Sequence, residues 1–268
     1  MKLSIIIPYD RYKNYLHDCL ESISQQEITD YETLLVVNDE SDVDEELKKY
    51  NINMKIIAAG AESNVAKKRN LGIKHAAGEY IYFIDCDDYL MPHTLSLLIK
   101  KAKQDDLDLV AGIRKFTWFK KKVFETMGDE KNDELNLKDK DHDRDDKFIN
   151  KVYDESNITE YKTDILIRTR HALRNVSVLN ILIKTELIKK HDILFNEKFL
   201  YYADAPFVVQ LLNYATSFAR VDDAVFVKRK HNDPINAPAL SQIKDPDNKF
   251  NEFIEAHNYC TMLVEPDS

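Results

Sequence analysis

The sequence predicts an α/β domain with a mostly parallel central sheet flanked by helices, together with a charged insert and a C-terminal helical part. Two observations lead to this fold class. Short apolar runs of strand length alternate with segments of helical spacing up to about residue 113, which is the pattern of parallel strands joined by crossover helices. Polar clusters also follow three of these runs directly, as expected where ligands bind beyond the carboxyl ends of parallel strands.

The first 113 residues show the clearest alternation of strands and helices. Residues 3–7 form a nearly continuous apolar run closed by Pro8, which indicates a buried strand. Residues 12–25 repeat apolar side chains at helical spacing. The further strands predicted here span residues 33–37, 54–58, 80–84 and 107–113, and the further helices span residues 45–49, 65–76 and 92–102. Gly78 is placed to end the helix at 65–76 as a C-terminal cap.

The alternation weakens after residue 113. Residues 129–146 are dense in charge and poor in apolar side chains, which indicates a solvated insert. Further elements are predicted as a strand and then a helix over 177–190, a helix over 205–215, strands over 218–221 and 224–228, and a helix over 250–260. We therefore divide the chain into residues 1–113, residues 114–245 including the insert, and a C-terminal helix at 246–268.

The bulk composition limits the class of protein. The chain has 268 residues and a formal net charge of -9, which argues against nucleic acid as a partner because phosphate binding needs a basic surface. Its three cysteines imply no disulfide framework and favour a reducing compartment. No apolar stretch is long enough for a signal peptide or a membrane span, so we expect a cytoplasmic protein. The sequence stops just after a helical pattern, and we expect it to be part of a longer protein.

An acidic cluster follows the strand predicted at residues 80–84. Asp85, Asp87 and Asp88 place three carboxylates within four residues, and these repel one another unless cations or hydrogen bonds offset their charge. Hard oxygen ligands at a strand end suit Mg²⁺ or Mn²⁺ that bridges the phosphates of a nucleotide. A cluster that caps the following helix is the alternative, and the strand directly before the cluster favours the metal.

Two other strand ends carry polar side chains. Pro8, Tyr9 and Asp10 follow the first strand, and Asn38 and Asp39 follow the second. Asp39 is a candidate to accept hydrogen bonds from the base or ribose of a nucleotide, and a turn closed by its side chain is the alternative. Because the strand ends meet at one edge of the sheet, we expect these residues to converge with the acidic cluster.

Basic side chains occur at two further places. Lys68 and Arg69 lie in the first turns of a predicted helix, where cations oppose the helix dipole, so a pyrophosphate is a candidate partner. A solvated basic face is the alternative. The run at residues 228–231 contains Arg229, which could clamp phosphates, and His231, which is either a metal ligand or a surface histidine.

Asp204 lies at or just before the start of the helix predicted at residues 205–215. A helix N-cap is the default interpretation, and a general base at the mouth of the site is the other. The spacing does not separate the two interpretations.

Four motifs together resemble the family 2 glycosyltransferases of the GT-A fold. They are residues 3–9 (LSIIIPY), 37–41 (VNDES), 68–73 (KRNLGI) and 78–88 (GEYIYFIDCDD). Each motif alone is weak, whereas the four in this order are specific. The resemblance covers residues 1–113 well and the rest loosely. Residues 228–241 are also similar to enzymes that decorate or build wall teichoic acids and capsular polymers of Gram-positive bacteria.

The resemblance implies an inverting, metal-dependent hexosyl- or N-acetylhexosaminyltransferase that uses a UDP-sugar. Pro8, Tyr9 and Asp39 would border the uridine, and Arg69 would lie near it or near the phosphates. By the same resemblance Asp87, with Asp85 nearby, would hold Mn²⁺ or Mg²⁺. Residues 1–113 would then bind the donor, residues 114–245 would face the acceptor, and a polymer or lipid-linked glycan would be that acceptor. Peripheral membrane association through a C-terminal region beyond residue 268 is also expected.

Asp204 matches the aspartate that serves as the base in the Glu-Asp pair of the family. Two positions depart from the family pattern, since Asn38 replaces the first acid of an Asp-Asp pair and Ala203 replaces the glutamate of the Glu-Asp pair. The first departure makes the choice of nucleobase less certain, and the second makes the assignment of Asp204 as the catalytic base less certain.

Two other classes of protein stay open at this point. A nucleotidyltransferase would also use paired carboxylates but usually has a glycine-rich loop, which residues 8–14 lack. A non-catalytic carbohydrate-binding domain would explain both departures.

Overall fold

The fold is taken from a computed structural model. The structure describes residues 2–10, 13–44, 47, 49–117, 158–159, 162, 173, 176–231 and 238–264. The charged insert predicted at 129–146 lies outside these residues, and so does most of the helix predicted at 45–49.

Strands and helices alternate through the first part of the chain as predicted. The elements are β1 (Leu3–Pro8), α1 (Lys13–Ser24), β2 (Tyr31–Val37), β3 (Met54–Ala58), α2 (Val65–His75), β4 (Tyr80–Phe83), β5 (Tyr89–Leu90), α3 (Thr94–Asp105) and β6 (Leu109–Thr117). The later elements are β7 (Ile181–Lys184), α4 (Thr185–Lys190), α5 (Asp204–Tyr214), β8 (Phe218–Arg229) and α6 (Pro246–Val264). The short strand β5 is an addition that the sequence pattern did not predict.

Within the described residues, eight strands form one sheet in the order β3-β2-β1-β4-β7-β6-β8-β5. The pairs β1–β2, β1–β4, β2–β3 and β6–β8 are parallel. The strand β7 lies antiparallel between β4 and β6, and β5 lies antiparallel to β8, so the sheet is mixed. The parallel part brings the carboxyl ends of β1, β2 and β4 to one edge, which is where the predicted site residues lie.

Close packing of α2 on β1 positions the basic side chains of that helix. Every residue of β1 is buried, in keeping with a strand covered on both faces. Gly72 lies against Ile6, where a Cβ atom on the glycine would stand 2.4 Å from Cγ2 of the isoleucine. Because Gly72 leaves room for the Ile6 side chain, α2 lies close to the sheet, and Lys68 and Arg69, one turn earlier on α2, are buried there.

The prediction that Gly78 caps α2 is wrong. The helix ends with Ala76 in extended backbone as its C-cap. Gly78 instead packs against β1, where an added Cβ would lie 2.5 Å from the backbone nitrogen of Ser4. Its N–H donates a hydrogen bond to Ser4 Oγ at 2.8 Å, and its carbonyl accepts one from Thr185 Oγ1 at 2.7 Å. Gly78 therefore allows its own backbone to lie close to the backbone of β1.

The two strands predicted at 218–221 and 224–228 form the single strand β8. Its pairing with β6 shifts register where residues 221–224 lie opposite Gly112. An added Cβ on Gly112 would stand 2.2 Å from the carbonyl oxygen of Ala224. The polar residues Asp222 and Asp223 at this shift are typical of a turn in the sequence. In the structure they form an irregularity within one continuous strand.

The C-terminal helix α6 packs against α5. It is longer than the helix predicted at 250–260, because it begins at Pro246 and ends at Val264. Across the described part of the chain, none of the helices is both long and apolar enough to cross a lipid bilayer.

Candidate active site

Polar residues at the ends of β1 and β2 form a linked cluster with α2. Lys68 Nζ donates a hydrogen bond to the carbonyl of Tyr9 at 2.8 Å and lies 3.5 Å from Asp10 Oδ1. Asn38 Nδ2 donates to the same Asp10 oxygen at 3.0 Å. Burial lowers the pKa of Lys68, although Asp10 opposes this shift. Of the predicted nucleotide-binding residues, these four are therefore brought together beside Pro8, the last residue of β1.

Asp39 begins a short 3-10 turn at Glu40–Asp42. Its Oδ1 accepts hydrogen bonds from Ser41 N at 2.9 Å and Ser41 Oγ at 2.6 Å. These bonds hold the pKa of Asp39 below its ordinary value. Asp39 therefore closes this turn and stays exposed to solvent just after β2.

The three carboxylates after β4 converge on one point. Asp85, Asp87 and Asp88 each place an oxygen within 4.8 Å of the others. Asp85 and Asp87 are partly exposed, whereas Asp88 is fully buried and accepts a hydrogen bond from Arg229 N at 2.7 Å. Burial raises the pKa of Asp88 well above its ordinary value. Such a set of close oxygen ligands fits a hard divalent cation, with the two accessible carboxylates as its candidate ligands.

Arg69 connects this cluster to Asp204. Its Nη2 lies 2.7 Å from Asp85 Oδ1 and its Nη1 lies 2.5 Å from Asp204 Oδ1. The guanidinium packs over the rings of Phe83 and Phe195, with centroid distances of 5.9 and 5.2 Å, a favourable arrangement for a cation. Burial acts to lower the pKa of Arg69, but the two carboxylates outweigh it and raise the pKa. One buried cation therefore sets the distance between the acidic cluster and α5.

Lys228 supplies a second cation from the end of β8. Its Nζ lies 3.6 Å from both Asp85 Oδ2 and Asp88 Oδ2. Burial acts to raise the pKa of Asp85, but the charges of Arg69 and Lys228 outweigh it, so that pKa lies below its ordinary value. Asp85 is thus held as a carboxylate between two cations.

His231 lies two residues after the end of β8, and its side chain contacts the acidic cluster. Its Nε2 lies 2.8 Å from Asp87 Oδ2, within hydrogen-bond distance. The imidazole is fully buried and lies against the ring of Tyr15, with the centroids 4.6 Å apart. His231 is therefore not a surface histidine, and its position beside Asp87 keeps a metal-ligand role open.

Asp204 is the first residue of α5, and the N-cap position is taken by Ala203. The default interpretation of Asp204 as an N-cap is wrong, because its carboxylate bonds to other parts of the chain. Oδ2 accepts hydrogen bonds from Ser177 Oγ at 2.8 Å and Val178 N at 3.1 Å, and Oδ1 accepts the bond from Arg69. The side chain stays 23% exposed, so a ligand can reach it.

The side chain of Arg229 lies outside the acidic cluster, although its backbone N–H bonds to Asp88. The guanidinium is 1% exposed and pairs with Asp18 at 2.7 Å. It lies between the rings of Tyr15 and Tyr89, at 4.7 and 5.4 Å from their centroids. This burial argues against a contact between the Arg229 guanidinium and a phosphate.

Sequence reasoning did not single out two of the residues that shape the site. In the sequence Lys228 is one residue of a basic run, and no local pattern indicates that its side chain contacts the acidic cluster. Ser177 lies 27 residues before Asp204 and carries no motif. Both are defined by contacts between distant segments, which a periodicity pattern does not report.

The fold and the site together define an α/β domain with an acidic cluster at the end of β4 and a carboxylate, Asp204, at the start of α5. The buried Arg69 bonds to both. The chain belongs to glycosyl transferase family 2, whose family model matches residues 4–165. The resemblance carried by the four motifs is therefore confirmed.

Relatives and a solved structure agree with this membership. A teichoic acid poly(glycerol phosphate) polymerase of Staphylococcus epidermidis is 29% identical over 267 residues, covering 95% of this chain and 33% of the relative. TarS of Staphylococcus aureus, a poly(ribitol-phosphate) beta-N-acetylglucosaminyltransferase, is 33% identical over 101 residues, covering 35% of this chain and 18% of the relative. This chain spans a third or less of the length of these two relatives.

The crystal structure of S. aureus TarS 1-349 in complex with UDP-GlcNAc shares the fold. It superposes with a TM-score of 0.70 at 19% identity, covering 98% of this chain and 67% of that chain. The predicted GT-A fold, with a helical C-terminal part, is therefore confirmed. The narrower similarity to wall teichoic acid enzymes is confirmed as well.

Proposed function

We propose that the protein is an inverting glycosyltransferase that moves a hexose or N-acetylhexosamine from a UDP-sugar to a hydroxyl of a cell-surface polymer. The observation that carries this proposal is the placement of Asp204 beside the acidic cluster, with Arg69 bonded to both. Transfer by one displacement needs a base near the acceptor and positive charge near the leaving diphosphate. The names of the relatives support the substrates, since one builds and one glycosylates a teichoic acid polymer.

The donor would lie across the ends of β1 and β2. Tyr9, Asp10 and Asn38 border that edge, and Asp39 presents an exposed carboxylate that can accept hydrogen bonds from a uracil or a ribose. Lys68 would act mainly by holding the Tyr9–Asp10 segment in place, because its Nζ is buried against that segment. Arg69 and Lys228 would face the diphosphate from the side of the acidic cluster.

A divalent cation fits the carboxylates of Asp85 and Asp87, and Mn²⁺ or Mg²⁺ would neutralise the charge of the leaving diphosphate when bound there. Lys228 already offsets part of the acidic charge from the other side. His231 would hold the Asp87 carboxylate in place or join it as a ligand.

Asp204 would accept the proton of the acceptor hydroxyl. A carboxylate offers about four lone-pair positions, and three are taken by Arg69, Ser177 and Val178. Among the residues that the structure describes, one position therefore remains for an incoming hydroxyl, and the three existing bonds keep the side chain in one orientation. Residues 1–113 would thus serve the donor and residues 114–245 the acceptor.

We place the reaction in the cytoplasm, where UDP-sugars are available, and expect a polymer or lipid-linked acceptor at the inner face of the membrane. The three cysteines are free, which suits a reducing compartment. Association with the membrane stays a prediction.

The test is transfer of labelled GlcNAc from UDP-GlcNAc, with Mn²⁺, to poly(ribitol phosphate) and to poly(glycerol phosphate). The wild-type protein should label at least one polymer. Asp204→Asn should bind UDP normally but lose roughly 10²-fold or more in turnover, in line with general-base contributions. Asp192→Asn is a matched control at an exposed aspartate and should transfer normally.

Three results would contradict the proposal. Normal transfer by Asp204→Asn would show that the base lies elsewhere. Binding of UDP-GlcNAc without transfer or hydrolysis would indicate a non-catalytic domain. Production of a nucleotide sugar and pyrophosphate from UTP and a sugar phosphate would indicate a nucleotidyltransferase.

A further inference from the structure

The segment that leads into Asp204 is held by a carboxylate from the C-terminal helix. Glu252 on α6 accepts hydrogen bonds from three consecutive backbone amides. Its Oε2 accepts from Leu200 N at 3.0 Å, and its Oε1 accepts from Tyr201 N at 2.5 Å and from Tyr202 N at 2.7 Å. Successive N–H groups that point to one anion form a strong binding arrangement for it. Glu252 therefore fixes the backbone of residues 200–202.

Asp245, the residue before α6, and side chains of α6 hold the same segment at other points. The Tyr201 hydroxyl donates to Asp245 Oδ2 at 2.9 Å, and Lys249 Nζ lies 5.0 Å from the centroid of the Tyr201 ring. The Tyr202 ring meets the ring of Phe253 edge-on, with the centroids 5.8 Å apart. The hydrogen bonds from Asn248 and Tyr201 also hold the pKa of Asp245 below its ordinary value. Asp245 and the first part of α6, up to Phe253, thus contact the residues just before α5.

Asp204 follows Tyr202 by two residues, and the segment between them has no regular secondary structure. The residues from Leu200 to Ala203 form bends rather than a strand or helix. Ala203, the N-cap of α5, offers no side-chain hydrogen bond to the first turn of the helix. The position of the Asp204 backbone is therefore set by a segment whose amide hydrogen bonds end on Glu252.

We propose that Glu252 is a positioning residue for the transfer reaction, which acts from α6 by holding the segment that places Asp204. This inference rests on the proposed role of Asp204 as the base. In this proposal Glu252 acts through Asp204 and not by contact with the substrate. A glutamine at position 252 keeps the size of the side chain but has one acceptor oxygen and a donor NH₂ group, so at least one of the three amides loses its partner. The segment then moves more, and Asp204 spends less time in the reactive geometry.

The experiment compares Glu252→Gln, Asp204→Asn and the double variant in the GlcNAc-transfer assay. Glu252→Gln should lower kcat roughly tenfold and leave the KM for UDP-GlcNAc within about twofold. The double variant should be no slower than Asp204→Asn alone, because Glu252 acts only through Asp204. Glu252→Asp, which keeps the charge, should recover part of the lost kcat. Glu255→Gln is the control, since Glu255 lies on the same helix and is exposed, and it should match the wild type.

Hydrogen exchange gives a second readout that does not depend on turnover. Glu252→Gln should speed exchange of the amides at residues 200–202 and leave those of β1 unchanged. Unchanged exchange at 200–202 would overturn the inference, as would normal kcat in Glu252→Gln or rate losses that multiply in the double variant. A loss in Glu252→Gln together with normal transfer by Asp204→Asn would overturn both the inference and the base assignment. Normal kcat in Glu252→Gln with a slow Asp204→Asn would overturn the inference alone.

Discussion

Replacing Arg69 with methionine should destabilise the protein strongly at pH 8. The guanidinium is 4% exposed and meets two carboxylates that are 24% and 23% exposed. Methionine keeps the apolar contacts with Phe83 and Phe195 but leaves both carboxylates without this partner. Breaking a buried pair by removing one member usually costs about 3–5 kcal/mol. Because Asp85 and Asp204 keep some contact with solvent, we expect a loss near the lower end, about 3 kcal/mol.

The loss should also depend on pH. In the wild type the pKa of Asp85 is lowered, so this carboxylate contributes stability above about pH 4, and that contribution is lost as the pH falls through its folded-state pKa. In the variant, burial persists while Lys228 is the closest cation that remains, so the pKa of Asp85 should rise. A raised carboxylate pKa costs stability as the pH increases. The difference between the two proteins should therefore be smaller at pH 5 by about 1 kcal/mol or more.

The measurement is urea unfolding in metal-free buffer at pH 5 and pH 8, followed by circular dichroism. Lys67→Met is the matched control, because Lys67 lies two residues earlier on α2 and is exposed. It should change the free energy of unfolding by less than about 0.5 kcal/mol. A loss in Arg69→Met that is no larger than this control, or one that is equal at both pH values, would refute the electrostatic reasoning.

Three further outcomes are expected. Asp87→Ala should abolish the Mn²⁺-dependent part of UDP binding without unfolding the protein, and unchanged Mn²⁺-dependent affinity in calorimetry would show that Asp87 is no metal ligand. Asp39→Ala should weaken UDP more than ADP in the same experiment, whereas an equal loss for both nucleotides would count against contact with the base. Gly78→Ala should lower the free energy of unfolding by about 2 kcal/mol or more, because the new Cβ would lie 2.5 Å from the backbone nitrogen of Ser4. A change below about 0.5 kcal/mol in urea unfolding would show that the two backbone segments can separate easily.

The acidic cluster illustrates what could be predicted about the site. Its three carboxylates directly follow a buried strand, so their position at the sheet edge follows from local pattern alone. The same holds for Asp10, which follows β1, and for Asn38, which follows the neighbouring parallel strand β2. Their hydrogen bond is a consequence of parallel pairing. Polar side chains at the ends of adjacent parallel strands must lie close together.

The basic run at residues 228–231 shows what the local pattern could not decide. Arg229 and Lys228 are adjacent, and residues next to each other on a strand point to opposite faces of the sheet. Lys228 therefore turns to Asp85 while Arg229 turns to Asp18. The sequence contains two candidate cations but no signal for which face holds the acidic cluster.

By itself the sequence determined the α/β class, most of the elements through residue 113 and the acidic edge of the sheet. Each of these follows from apolar periodicity within a short window and from the geometry of parallel strands. The tertiary structure decided which residues complete the site. The bond between Arg69 and Asp204 joins residues 135 apart, and the carboxylate of Glu252 meets amides about 50 residues earlier in the chain. Such contacts depend on how the later segments pack across the sheet and against α5, and no local pattern of side chains carries that information.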